Sequence, residues 1–225
     1  GCVWTRAQMN RTKIESTDFT WTPASGCRGT GCAVWKVCWA KRQVKRLGRF
    51  CPECPTFIPH MHMDRLKEPL EVKKPYKIFP VSTGDLFGLE PSQTRMIVDV
   101  MEQASWHTFQ TLTKQPQNAQ AFNPFPKNVW FGISVNQQSD TWRLDELRRI
   151  DTQVKFGYFE PLYSAINYDL SFLDWIVLGA QTRPNRQPQP EWVQGILDQA
   201  DKNSIPVLIK NNLAWPDRLK EFPEV

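Results

Sequence analysis

The spacing of apolar positions along this chain changes partway through. From about residue 77 onward, short apolar runs alternate with stretches of helical spacing. Residues 77–81 (KIFPV), 107–112 (HTFQTL), 129–135 (VWFGISV), 154–159 (VKFGYF), 175–178 (WIVL) and 206–209 (PVLI) are expected as strands. Pro80 is awkward in the first of these, because it cannot donate to a ladder. Residues 92–104 place Met96, Ile97, Val100 and Met101 at helical spacing, and 140–150 and 190–200 are expected as further helices. Buried strands alternating with helices indicate parallel βα units. The expected fold class is α/β: a single-domain partial (βα) TIM-like barrel of about six or seven parallel strands. A doubly wound open sheet is the alternative, since closure is not written in the pattern.

The N-terminal third reads differently. Residues 1–12 carry no pattern and are expected to be a disordered extension, with Met9 a candidate natural start. Residues 18–21 give a short extended piece running into the loop signal Thr22-Pro23-Ala24-Ser25-Gly26. Residues 38–48 suit a helix stopped by Gly48. Residues 50–76 hold five Pro and little periodicity, which suits loop. The domain is therefore expected over 13–215, with a cysteine-rich loop region at 22–62 and a tail at 216–225. No repeat of 20–50 residues is present.

Composition narrows the class. The chain is 40% hydrophobic and 23% charged, as in ordinary globular proteins. No apolar run is long enough to span a bilayer, and no charged head precedes an apolar stretch. A cytoplasmic location without a membrane partner is expected. Charge is uneven: 15 Lys/Arg against 6 Asp/Glu through residue 80, then 13 against 17. The basic third could face a polyanion such as nucleic acid, or be a solvated surface.

Five of the six Cys lie between Cys27 and Cys54. Such clustering reads as metal or cluster ligation more readily than as a disulfide scaffold. Cys27-x4-Cys32-x5-Cys38 offers three thiolates, suited to an iron–sulfur cluster or to zinc. Cys51-x2-Cys54-x5-His60-x-His62 offers a second set at plausible zinc spacing, a small zinc knuckle or an extra cluster site. The prolines there could equally serve only to shape a loop.

Polar residues follow nearly every expected strand. Ser82-Thr83-Gly84-Asp85, Thr113-Lys114, Asn136-Gln137-Gln138, Glu160-Pro161, Gly179-Ala180-Gln181-Thr182 and Lys210-Asn211-Asn212 would ring one pocket at the C-terminal strand ends. Glu160 suits proton transfer or a substrate contact. Lys210 suits a carboxylate or phosphate, or could be a surface lysine.

The segments Thr20-Trp21, Ser25-Gly26-Cys27, Gly31-Cys32, Cys38-Trp39-Ala40-Lys41, Arg65-Leu66-Lys67-Glu68-Pro69-Leu70 and Asp85-Leu86-Phe87 carry a resemblance. So do His107-Thr108-Phe109-Gln110, Leu112-Thr113-Lys114, Asn128-Val129-Trp130-Phe131-Gly132-Ile133-Ser134-Val135, Glu160-Pro161-Leu162 and Leu173-Asp174-Trp175. Together they resemble a phage-associated family of unknown function, itself similar to radical S-adenosylmethionine (SAM) enzymes. The resemblance implies a four-iron, four-sulfur (4Fe-4S) cluster on Cys27, Cys32 and Cys38. It also implies SAM on the open iron, cleaved to a 5′-deoxyadenosyl radical, and a reductant such as flavodoxin or ferredoxin. By position, Trp39 would lie near the cluster or adenine. Thr83, Gly84 and Asp85 would grip the SAM amino group, and Ser134 and Asn136 its ribose or carboxylate. Glu160, Gln181 and Lys210 would face the substrate, which the phage association and basic third suggest is nucleic acid or nucleotide-derived. The chain departs from the family in three places. Five residues separate Cys32 from Cys38 where two are usual, Trp39 stands for Tyr, and Gln181 stands where Glu is common. The competing readings are a non-catalytic zinc- or cluster-containing nucleic-acid-binding protein and a degenerate radical SAM protein.

Overall fold

A computed structural model of the chain describes residues 9–29, 31–48 and 50–224. Strand β1 (Asn10–Arg11) runs antiparallel to β2 (Phe19–Trp21). From β2 the sheet continues in parallel through β3 (Lys77–Pro80), β4 (Thr108–Thr113), β5 (Val129–Ser134) and β6 (Val154–Phe159). It ends with β7 (Trp175–Leu178) and β8 (Val207–Ile209). The order in space is the order in the chain. A doubly wound sheet would reverse its order at a switch point, and this one does not.

The expected extension at 1–12 is corrected in part. Asn10 and Arg11 pair with Thr20 and Phe19, while residues 1–8 lie outside the described residues. The tail also has a structural place. Leu208 bridges to Lys220, Ile209 donates to the Leu219 carbonyl, and Glu221 donates to the Val207 carbonyl. The tail thereby pairs with the exposed edge of β8.

Both faces of the central strands are covered, so they read as unbroken apolar runs. Every residue of β5 and β7 is buried. Alternate residues serve different cores. Phe131, Ile133, Phe159, Ile176, Leu178, Val207 and Ile209 join the large outer core that the helices cover. Trp130, Phe156, Tyr158, Trp175, Val177 and Leu208 form a separate inner cluster with Leu112 and Phe222. The rings of Trp130 and Trp175 meet edge-on at 5.9 Å although β6 runs between their strands.

An inner face that packs on itself requires a curled sheet. Phe222 stacks against Trp175 of β7 at 5.2 Å and takes the Lys77 ammonium of β3 at 4.8 Å. In a flat sheet those strands would lie roughly 19 Å apart. The Asn211 N–H, just after β8, donates to Glu15, just before β2, at 2.9 Å. The Lys220 ammonium also pairs with Glu15. The two ends of the sheet are thus joined by side chains. Among the described residues no ladder closes them, so the sheet is open there and a closed barrel is not formed.

Helices α1 (Trp39–Leu47) and α2 (Glu68–Glu71) lie in the long β2–β3 connection. Helices α3 (Pro91–Gln103), α4 (Trp142–Arg148) and α5 (Pro190–Lys202) fill the β3–β4, β5–β6 and β7–β8 crossovers. The other two crossovers break the expected alternation. Between β4 and β5 runs only a 3₁₀ segment, Pro116–Phe122, in a stretch punctuated by Pro116, Pro124 and Pro126. The β6–β7 connection contains no helix. None of the helices is long and apolar enough to cross a membrane among the described residues.

Candidate functional site

The C-terminal ends of the parallel strands open into a cavity of about 690 Å³. Such a position is where ligands gather in parallel sheets. The loop carrying Cys27, Cys32 and Cys38 lines it, and so do Glu160, Lys210 and Asn212. All three cysteines are free and half-buried.

The Cys27 loop is held in place by backbone contacts. Gly26 donates to the Thr83 carbonyl and Asp85 N–H donates to the Gly26 carbonyl, so this loop lies against the turn after β3. Gly26 and Gly84 form a parallel bridge. A Cβ on Gly84 would sit 2.5 Å from the Gly26 oxygen, which is why glycine is needed there. Val81 enters this turn at φ 52°, a strained conformation for a β-branched residue. The Val81 N–H bond to the Trp21 carbonyl and the Gly84 N–H bond to the Val81 carbonyl hold it.

The cysteines are electrostatic neighbours. Burial pushes the Cys27 thiol up to about 11, and the Asp85 carboxylate adds to the rise. The Gly29 N–H, 3.3 Å from the sulfur, opposes it, while Cys32 and Cys38 raise it further. A thiol in that setting stays protonated until a cation arrives. Three free thiols on one loop are a donor set that an iron–sulfur cluster and zinc both use.

Among the other lining residues, Lys210 Nζ lies 2.8 and 2.6 Å from the two oxygens of Glu160. Asn212 donates to the same carboxylate at 2.7 Å. Burial pulls the Lys210 ammonium down, but Tyr158 and Glu160 outweigh it and hold its pKa above the ordinary value. Burial raises the Tyr158 phenol, and Lys210 partly offsets this. Gln181 accepts from the Tyr163 hydroxyl and donates to the Pro184 carbonyl at 2.7 Å.

The other expected site residues divide. Trp39 lines the cavity and is 44% exposed, at the mouth. Gly84, Asp85 and Ser134 line it too. Thr83 is buried and shares a 2.7 Å hydrogen bond with Ser25. Asp85 already accepts from Thr113, from the Phe87 N–H and from the Lys114 N–H, at 2.7, 3.1 and 3.0 Å. It braces the turn. Asn136 is fully buried, donates to the Pro161 carbonyl, and does not line the cavity. Asn212 is one of the polar residues expected after the last strand, and it lines the cavity; sequence reasoning did not single out Tyr158 or Arg143. Tyr158 was traceable as an inward position of β6. Buried Arg143 pairs with Asp140 at 3.0 Å and donates to the Ser134 carbonyl at 2.8 Å, and no local signal marks it.

Cys51, Cys54, His60 and His62 come together as a buried Cys2His2 cluster that could bind a metal ion such as zinc. Cys51 is also disulfide-bonded. Burial pushes the Cys54 thiol up and the His62 imidazole down to about 4.

No curated protein and no solved structure matches the chain. A family model described as Protein of unknown function (DUF5131) matches residues 11–221. With nearly the whole chain matched, the protein belongs to this family of proteins of unknown function.

Proposed function

We propose that the protein is a radical SAM enzyme built on a partial (βα) barrel, acting on a nucleic acid or nucleotide-derived substrate. The observation that carries this reading is that three free thiols line the same cavity as the Glu160–Lys210–Asn212 group. When bound, a four-iron cluster would supply the electron that cleaves SAM and yields a 5′-deoxyadenosyl radical. Cys27, Cys32 and Cys38 would hold it.

The chain's own residues then have positional roles. Cys27, Cys32 and Cys38 are half-buried, so a group bound there would be partly shielded from bulk water. Gly84 lets the backbone after β3 approach a ligand closely. Lys210, already neutralised by Glu160, would orient a polar substrate group rather than act as a free cation. Trp39 at the mouth offers a face for a base to stack on. With Lys210 paired to Glu160 and Arg143 to Asp140, Lys13, Arg42 and Lys114 line the cavity against Glu15 and Asp85, a small cationic excess that favours an anionic ligand such as one bearing phosphate.

The test is SAM turnover. Anaerobically reconstituted, reduced protein is expected to form 5′-deoxyadenosine, and the Cys38→Ala variant is expected to form none. Equal background product from both proteins would reject the reading.

A further inference from the structure

The buried Cys2His2 group, separate from the cavity cysteines, has the geometry of a metal centre. The two His Nε2 atoms are 3.1 Å apart. Cys51 Sγ is 3.5 Å from His60 Nε2, and Cys54 Sγ is 3.5 Å from His60 Nε2 and 3.3 Å from His62 Nε2. Ordinary zinc bond lengths in a tetrahedron put two nitrogens about 3.3 Å apart and a nitrogen and a sulfur about 3.6 Å apart. The observed edges match these values.

Proton accounting points the same way. His60 Nδ1 lies 2.8 Å from the Ile58 carbonyl, and His62 Nδ1 lies 3.0 Å from the Thr22 carbonyl. A carbonyl only accepts, so each Nδ1 carries the hydrogen. Both Nε2 atoms then turn their lone pairs toward the middle of the group. A backbone carbonyl on the far nitrogen is the usual outer partner of a metal-bound imidazole, fixing its tautomer and orientation.

We propose that Cys51, Cys54, His60 and His62 bind one tetrahedral zinc ion, and that this ion fastens the segment carrying Cys27. The fastening runs through hydrogen bonds already present. Ser25 pairs with His60 and Ala24 with Met61 in an antiparallel ladder. The His62 N–H donates to the Pro23 carbonyl at 2.7 Å, and the Cys27 N–H donates to the Phe57 carbonyl at 3.0 Å. A metal that fixes residues 51–62 therefore fixes residues 22–27. Ligation by Cys51 requires its disulfide to be reduced. A dithiol reductant supplies two electrons and two protons to the two sulfurs and becomes a disulfide itself. Cys51 and Cys54 each lose a thiol proton when zinc binds.

The site stands on its own residues and does not depend on the cavity cysteines, so one experiment separates the two. Zinc is measured in the full chain purified under a dithiol reductant. The wild-type protein and a Cys27→Ala/Cys32→Ala/Cys38→Ala variant are both expected to hold about one equivalent. His60→Ala is expected to lose it and His60→Cys to keep it, since a Cys3His set also holds zinc. Should His60→Ala fail to fold, cobalt added to metal-stripped wild type is expected to give the visible bands of tetrahedral thiolate ligation. Hydrogen exchange at residues 22–27 is expected to quicken when metal is stripped. Zinc lost only in the cavity triple variant, cobalt without tetrahedral bands, or exchange at 22–27 indifferent to metal would overturn the proposal.

Discussion

Lys210 Nζ sits between both carboxylate oxygens of Glu160, at 2.8 and 2.6 Å, and joins β8 to the end of β6 beneath the cavity. Both side chains are only about 15% exposed. Removing one partner strands the other charge in a poorly hydrated place. Lys210→Met is expected to destabilise the fold by roughly 3 kcal/mol in denaturant titration. The double variant Lys210→Met/Glu160→Gln should recover part of that loss. A double variant less stable than the single would show that the pair is not electrostatically coupled.

Asp85 accepts three hydrogen bonds that hold β4 to the turn after β3. Asp85→Ala is expected to cost about 2–3 kcal/mol even without any ligand, because it unpairs Thr113 and two backbone N–H groups. If its thermal midpoint matched wild type in the absence of ligand, the carboxylate would be a ligand group rather than a brace.

Gly26 takes φ +96°, and a Cβ there would lie 2.3 Å from the Ile58 backbone oxygen. Gly26→Ala is expected to cost roughly 2–4 kcal/mol. Gly31, at φ +68° with open space around it, provides the comparison. Gly31→Ala should cost only the conformational strain, about 1 kcal/mol. Equal losses in denaturation midpoints would contradict the close approach of the two loops.

His107 gives the fold an acid limit outside both candidate sites. Its Nδ1 accepts from the Tyr76 N–H at 3.2 Å and its Nε2 faces the Pro69 carbonyl at 3.1 Å, so the neutral ring is satisfied. Burial holds its pKa below the ordinary value, with Lys73 contributing, while contacts to Pro69 and Val72 partly offset this. The unfolded chain then binds more protons than the folded one once pH falls below about 6.5. Stability is full above that pH and declines on acidification. His107→Gln should show a shallower decline between pH 6.5 and 5 than wild type. Parallel declines would assign the acid sensitivity to other groups.

The sheet was legible where burial is two-sided. The runs 129–135, 154–159 and 175–178 are apolar at every position because both faces are covered, and the strands appear there with little shift at their ends. The helixless crossovers were not, since a polar or proline-rich gap does not declare how it returns to the sheet. The β8-pairing tail was hidden too, because Glu221 and Phe222 gain meaning only from distant Val207 and Trp175. The Cys2His2 group was legible from spacing alone. Asp85 was not separable as a brace, because Thr113 and Lys114 lie 28 and 29 residues away. Asn136 looked like a pocket residue by its place after β5, yet its side chain turns to the Pro161 carbonyl.

The proposed radical SAM chemistry requires Cys27, Cys32 and Cys38 to hold a redox-active cluster that binds SAM. The most direct measurement is the electron paramagnetic resonance spectrum of the anaerobically reconstituted, reduced protein with and without SAM. A four-iron signal that SAM perturbs, and that Cys27→Ala, Cys32→Ala and Cys38→Ala each abolish, is the predicted result. A protein that takes up no iron, or a signal that SAM leaves unchanged, would contradict the account.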